Sequence, residues 1–308
     1  MVSIVCALLP KRENWKKGWG KLSGISTFLG PSGQREISMK SSDIHILNNN
    51  SVAKRNDYHQ TVERGDEMPD AFQRYKHKFP YFGFVDCKAG DVEFVMFSAN
   101  DDVVAWEYFW TGTYEDEIVT EWLRMCQGAD VILDVGAYTG CMAMIACGVN
   151  PACDVYCFEP MPRTVERLAI NLKVNGLINR VKVFPVAASD ERDEVVMNLP
   201  RPVDFLGTGN SIQKKPNVDV IAQCPVRAER IEDCFTLEEG RRISCVKVDV
   251  EGHELQALKG METLIDKHRP ECIIEVWPHE KADIEAFMGG YGYKPRQLRG
   301  LNWLYSQA

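Results

Sequence analysis

The sequence has no run of about 20 apolar residues, so no segment is long enough to cross a bilayer as a helix. It has no C-x-x-C pair among its 11 cysteines, an odd number, and Cys147, Cys157, Cys245 and Cys272 fall inside apolar runs. That pattern excludes a disulfide framework and a zinc ribbon, and it points to reduced thiols in a cytoplasmic protein. Positive charge is in short supply: 36 Lys and Arg against 44 Asp and Glu leave a formal net charge of −8. Such a chain lacks the electrostatic footprint that drives binding to phosphate backbones, and nucleic acid is not an expected partner. The opening "MVSIVCALLPKRENWKKGWGK" puts its basic residues after its apolar ones, the reverse of a secretory signal. A segment of this kind could touch an anionic membrane surface, although an ordered or frayed arm is the simpler reading.

What is present is enough for a full core: 308 residues, 45% of them hydrophobic. Residues 1–78 read as an N-terminal arm, partly disordered or extended, because "SSDIHILNNNSVAKRND" shows little helical or strand periodicity. Residues 79–126 read as a β/α lead-in packed on the core. Here "YFGFVDCKAGDVEFVMFSANDDVVAW" gives a hairpin or two, and "TYEDEIVTEWLRMC" gives a helix with acids in its first turn. The aromatics of "WEYFWTGTY" are read as core closing one end of a sheet.

From residue 127 to 308 strands and helices alternate. "VILDVG", "DVYCFEP", "VKVFPVAAS", "ISCVKVDV" and "ECIIEVW" are strands, separated by helices from Thr139, from Pro162 to Asn175, and from Glu254 to about Lys267. An added strand or hairpin through "EVVMNLP", a helix over residues 281–288 and closing strands "YKPRQL" and "NWLYS" complete the pattern. Alternation of this kind means βαβ units and an α/β fold with a mainly parallel sheet covered on both faces.

The loop "LDVGAYTG" ends a strand at Asp134 and frames a tight turn with Gly136 and Gly140. Glycine lets a ligand approach the backbone, and the helix beyond offers unpaired N–H donors. Glu159 ends the next strand, 23 positions after Gly136, where an acid can accept hydrogen bonds from both hydroxyls of a ribose. The spacing D-x-G-x-x-x-G is not the dinucleotide pattern, and an adenosine carrying a sulfonium amino acid fits it better than a pyrophosphate.

"VILDVGAYTG", "VYCFEPMPRTVERLAINLKVNG", "VFPVAASD", "VKVDVEGHELQALKGMETLI" and "RPECIIEVWP" together resemble the FkbM family of S-adenosylmethionine-dependent methyltransferases over roughly residues 80–308. The resemblance implies a class I methyltransferase (Rossmann-like) fold, a seven-stranded sheet with the last strand antiparallel. It also implies O-methylation of a hydroxyl on a sugar, glycan or small metabolite. Carried over by position, Asp134, Gly136, Ala137, Tyr138 and Gly140 form the cofactor loop and Glu159 holds the ribose. Ala188 and Ser189 lie near the adenine. The family commonly has Asn where Tyr138 stands.

The strand ending in "DVEGHE" lies beside the glycine loop, which puts Asp249, Glu251 and His253 over the transferred methyl. A histidine or a carboxylate of raised pKa can take the proton from an attacking hydroxyl. His253 or Glu251 is the candidate base, Asp249 positions the cofactor or the base, and Glu275, ending the next strand, accepts from the acceptor hydroxyl. Plain alternatives are a dipole-complementing role for Glu251 and Glu254 and a polar cap at His253. Asp249, Glu251 and Glu275 could also collect a divalent cation. Trp277 could face a sugar ring, and "LGTGNSIQKK" reads as a lid or a surface connection. Competing functions are a cofactor-binding protein without catalysis, an N-methyltransferase on another small molecule or a protein, and a nicotinamide-dependent oxidoreductase. Self-association into a homo-oligomer is left open.

Overall fold

The chain divides into two units, Met1–Tyr81 and Phe82–Ala308. The computed structural model describes residues 26–29, 35–38, 40–63, 78–200, 205–207, 209–213 and 218–307. The expectations for the opening segment of residues 1–21 lie outside the described residues.

In the first unit, β1 (Ser26–Leu29) and β2 (Arg35–Ser38) pair antiparallel, and α1 spans Ser41–Glu63. A helix of 23 residues corrects the reading of this stretch as lacking regular structure. Polar residues surround α1 on every side, so apolar periodicity had nothing to detect. The local signal is its start, where the Asp43 carboxylate accepts the Lys40 N–H at 2.9 Å.

The second unit opens with β3 (Phe82–Ala89) and β4 (Val92–Ala99), an antiparallel hairpin. Next come α2 (Val103–Thr111) and α3 (Asp116–Cys126). Asp102 caps α2 by accepting the N–H groups of Val104 and Ala105 at 3.0 and 3.2 Å. Trp106, Tyr108, Phe109 and Trp110 are buried by α2, so these four of the aromatic cluster are core as read, whereas Tyr114 is half-buried.

Then follow β5 (Val131–Val135), α4 (Cys141–Val149), β6 (Asp154–Phe158), α5 (Pro162–Val174), β7 (Val181–Phe184) and β8 (Ala187–Ala188). The chain continues through β9 (Asp193–Leu199), β10 (Ala222–Glu229), α6 (Ile231–Cys234), β11 (Ile243–Val248), α7 (Glu254–Lys259) and α8 (Glu262–His268). It closes with β12 (Glu271–Glu275), α9 (Lys281–Gly290), β13 (Tyr293–Gln297) and β14 (Asn302–Gln307).

Seven of these strands form one sheet in the order β7-β6-β5-β11-β12-β14-β13. The pairings from β7 through β12 are parallel, and β14 runs antiparallel to both β12 and β13. This is the sheet expected of a class I methyltransferase fold. All five side chains of β5 are buried, as a central strand covered on both faces requires. A smaller sheet, β8-β10-β9, holds "EVVMNLP" as a single added strand, β9, paired antiparallel with β10.

Polar side chains tie the lead-in to this core. Asn171 of α5 and Asn175, which caps its C-terminus, present amides to the edge of β4. Asn171 Oδ1 accepts the Phe97 N–H at 2.8 Å and Asn175 Oδ1 the Val95 N–H at 2.9 Å, so the edge strand is paired by side chains. Arg167 donates to both carboxylate oxygens of the buried Asp101, at 2.8 and 3.0 Å. The single helix read from Glu254 to Lys267 is two helices. Gly260 ends α7 against the Ser189 carbonyl, where an added Cβ would lie 1.9 Å from the oxygen, and the chain turns there before α8.

Candidate active site

The order of the large sheet reverses direction at β5, which has β6 on one side and β11 on the other. Ligands in open α/β sheets bind in the crevice beyond the carboxyl ends of the strands at such a point. A cavity of about 350 Å³ opens there, lined by residues that end or follow β5, β6, β8, β11 and β12. Of the residues singled out from the sequence, Asp134, Gly136, Ala137, Tyr138, Glu159, Ala188, Asp249, Glu251, His253 and Glu275 line it. Gly140 and Ser189, also read as cofactor residues, are not among those lining it.

At one end sits the glycine turn. Gly136 and Ala137 donate their N–H groups to the Phe158 carbonyl at 2.9 and 3.0 Å, which fastens the turn to β6. Gly136 has φ +85°, and a Cβ there would lie 1.8 Å from the Asp249 carbonyl oxygen, so only glycine allows this approach. At Gly140, φ +91°, a Cβ would lie 2.2 Å from Leu168 Cδ1, so this glycine serves helix packing. Tyr138 donates its N–H to Glu159 Oε2 at 3.1 Å and its hydroxyl to the Leu206 carbonyl at 2.5 Å. Glu159 Oε1 accepts the Met161 N–H at 2.8 Å. Burial pushes Glu159 up to about 8 despite these two donors.

Behind the turn lies a cluster that the sequence reading missed in part. Lys247, 4% exposed on β11, places Nζ 2.6 Å from Asp249 Oδ2. Burial would lower Lys247, yet the carboxylates of Asp249, Glu115 and Asp134 outweigh it and hold the ammonium above its ordinary value. Asp134 is raised to about 6 by burial, with Lys247 opposing. Its Oδ2 is buried with no hydrogen-bond partner among the described residues. Burial also raises Glu115, which lines the cavity with Tyr114. A lysine within the apolar run "ISCVKVDV" was a legible signal for Lys247; Glu115 read only as an acid near a helix start.

At the other end, Glu251 has φ 61° and its carbonyl accepts from Ser211 Oγ at 2.7 Å. Three of the five described non-glycine residues with positive φ, namely Glu115, Tyr138 and Glu251, line this cavity. Backbone strain of this kind concentrates at functional sites. His253 Nε2 lies 3.1 Å from Ser189 Oγ, and its Nδ1 is buried with no partner among the described residues. Burial lowers His253, so the ring is neutral near neutral pH. Glu275 Oε2 accepts the Trp277 indole N–H at 3.0 Å, and burial, with Asp249 and Glu251 nearby, pushes Glu275 up to about 8. Trp277 is half-buried and acts on Glu275; it is not among the residues lining the cavity. Gly207, Asn210 and Ile212 of the "LGTGNSIQKK" loop do line the cavity, while residues 208, 214 and 215 lie outside the described residues.

The divalent cation considered at Asp249, Glu251 and Glu275 finds no matching arrangement. Among the described residues no group of three or more His, Cys, Asp or Glu could hold a metal ion. Asp249 is turned to Lys247 and Glu275 to Trp277 instead. No described helix is long and apolar enough to cross a membrane.

The family profile described as the methyltransferase FkbM domain matches residues 134–295. A hexuronic acid methyltransferase, AglP, of Haloferax volcanii is 28% identical over 148 residues, covering 48% of this chain and 56% of that protein. A 2-O-methyltransferase, NoeI, of Sinorhizobium fredii is 26% identical over 149 residues, covering 45% of this chain and 60% of that protein. The chain thus spans somewhat over half the length of these curated relatives. Among solved structures, a methyltransferase FkbM of Methylobacillus flagellatus aligns with a TM-score of 0.41 at 20% identity, over 57% of this chain and 43% of that one.

Proposed function

The chain belongs to the methyltransferase FkbM family, and from that premise we propose that it transfers the methyl group of S-adenosylmethionine to a hydroxyl oxygen of a sugar, glycan or small metabolite. The observation that carries this reading is Glu159. Its carboxylate lies in the cavity one strand from the glycine turn and takes one backbone N–H on each oxygen. Each oxygen keeps a lone pair for one hydroxyl of a ribose diol. The remaining walls suit the same molecule: Gly136 and Ala137 present backbone to the cavity, and the Asp134 carboxyl beside them offers an acceptor for the ammonium of the methionine end. The acids around Lys247 favour a ligand with positive charge at that end.

When bound, the cofactor supplies an electrophilic methyl on a sulfonium, open to in-line displacement. Glu275 orients the acceptor hydroxyl by accepting its hydrogen bond, its own orientation fixed by the Trp277 indole. Glu251 takes the proton as the new C–O bond forms and the C–S bond breaks, with the electron pair passing to sulfur. His253 is the second candidate for that role, but one nitrogen is engaged with Ser189 and the other is shut off from the cavity, which favours Glu251. Asp249, paired with Lys247, holds the floor between the two halves. In this reading residues 127–308 form the catalytic domain, residues 79–126 its lead-in, and the protein works in the cytoplasm. A sugar as acceptor draws support from the relative that acts on hexuronic acid.

Incubation with S-adenosylmethionine tritiated on the methyl group, against a panel of p-nitrophenyl glycosides, tests the reaction. Label in an alkali-stable ether on the sugar is the expected product. Label on no glycoside, with cofactor binding intact, overturns the sugar hydroxyl as acceptor.

A further inference from the structure

The turn that bears Glu251 has a carboxyl group built into it. Glu254, the first residue of α7, is 0% exposed. Its Oε1 accepts the Val250 N–H at 3.1 Å and the Gly252 N–H at 3.1 Å, and Oε2 also accepts from Gly252 at 3.1 Å. These two donors flank Glu251 on either side. Between them the backbone is in the left-handed region, with φ 61° at Glu251 and 99° at Gly252, a path that needs outside support. Ser211 holds the Glu251 carbonyl from the opposite direction. A helix-start acid that only complements the dipole does so from solvent, and Glu254 has none. Burial, with the Glu280 carboxyl alongside, pushes it up to about 9, and a neutral carboxyl still accepts N–H bonds through its carbonyl oxygen.

We propose that Glu254 is a positioning residue, clamping the peptide groups on both sides of Glu251 so that the Glu251 carboxylate faces the acceptor. The inference rests on Glu251 as proton acceptor. Full-length Glu254→Ala, Glu254→Asp and Glu254→Gln variants test it by two readouts. One is amide hydrogen exchange in the peptide covering residues 249–255. The other is methyl transfer to whichever p-nitrophenyl glycoside the unaltered protein accepts.

Glu254→Ala and Glu254→Asp are expected to raise exchange in that peptide about tenfold. They should also lower kcat about a hundredfold, with the affinity for S-adenosylmethionine within about threefold of the original. Glu254→Gln keeps an oxygen at the Oε1 position and is expected to restore both readouts to within about threefold. Where Glu254→Ala fails to fold, Glu254→Asp carries the same comparison, since it keeps the carboxyl group and shortens the reach. Unaltered exchange in residues 249–255, or Gln no better than Ala, overturns the clamp. A Glu251→Gln variant at full turnover would instead remove Glu251 as base, while the exchange comparison still decides what holds the turn.

Discussion

The two ends of the cavity are made differently. At the cofactor end, Gly136, Ala137 and Glu159 hang directly from β5 and β6, and their backbone groups are bonded to the neighbouring strand or to each other's turn. At the acceptor end, Glu251 and Glu275 come from the turn after β11 and from the end of β12. Glu251 holds left-handed backbone, and each of the two depends on a partner, Glu254 or Trp277. A common cofactor can be bound by what the sheet supplies for free, whereas an acceptor has to be met by charged groups that need support of their own.

The largest expected effect falls on the charge cluster behind the glycine turn. Lys247→Met removes the ammonium between Asp249, Asp134 and Glu115 and leaves buried carboxylates facing one another. The cost should be about 3–5 kcal/mol in urea unfolding. A variant as stable as the parent would mean that these acids are neutral and need no counter-charge. Gly136→Ala attacks the cofactor end, where the new methyl would meet the Asp249 carbonyl at 1.8 Å. It should cost about 2–4 kcal/mol and abolish cofactor binding. Retained binding would show that the turn can shift.

Titration separates stability from cofactor affinity by sign. Glu159 and Glu275 both rise from an ordinary 4.5 to about 8. Because these folded values lie above the unfolded ones, the stability they contribute is full below about 4.5 and is lost as pH rises through about 8. Thermal midpoints of the unliganded protein should therefore fall between pH 5 and 9, and Glu275→Gln should flatten part of that slope. Cofactor affinity should run the other way, since an ionised Glu159 is the better ribose acceptor. It should improve by up to about tenfold per pH unit on approaching 8 and level off above. Parallel slopes would break the argument. The smallest effect is expected from Tyr138→Phe, which deletes the bond to the Leu206 carbonyl. The loss should be about 1 kcal/mol of stability with cofactor binding retained.

The same contrast explains what could be read without the structure. The strands follow from apolar runs alternating with helical stretches, so "VILDVG", "CFEP" and "VKVDVEG" placed Asp134, Glu159 and Asp249 at strand ends. Local pattern carries that information. It carries none about Glu115, which reaches the cavity only because α3 begins with a left-handed residue, nor about Glu254, whose side chain turns back on the loop before it. α1 escaped for a third reason, since a helix polar on all sides has no face for periodicity to mark. The break between α7 and α8 depended on a contact from Gly260 to Ser189, 71 positions away, which no local window contains.

The central claim is that one cavity at the β5/β11 switch binds S-adenosylmethionine through Glu159, and calorimetric titration of the protein and of Glu159→Ala tests it most directly. The account predicts saturable binding at one site, weakened about a hundredfold or more in the variant, because two hydrogen bonds to a charged group are lost. Equal affinity in both proteins, or binding of NADH with none of S-adenosylmethionine, would contradict it.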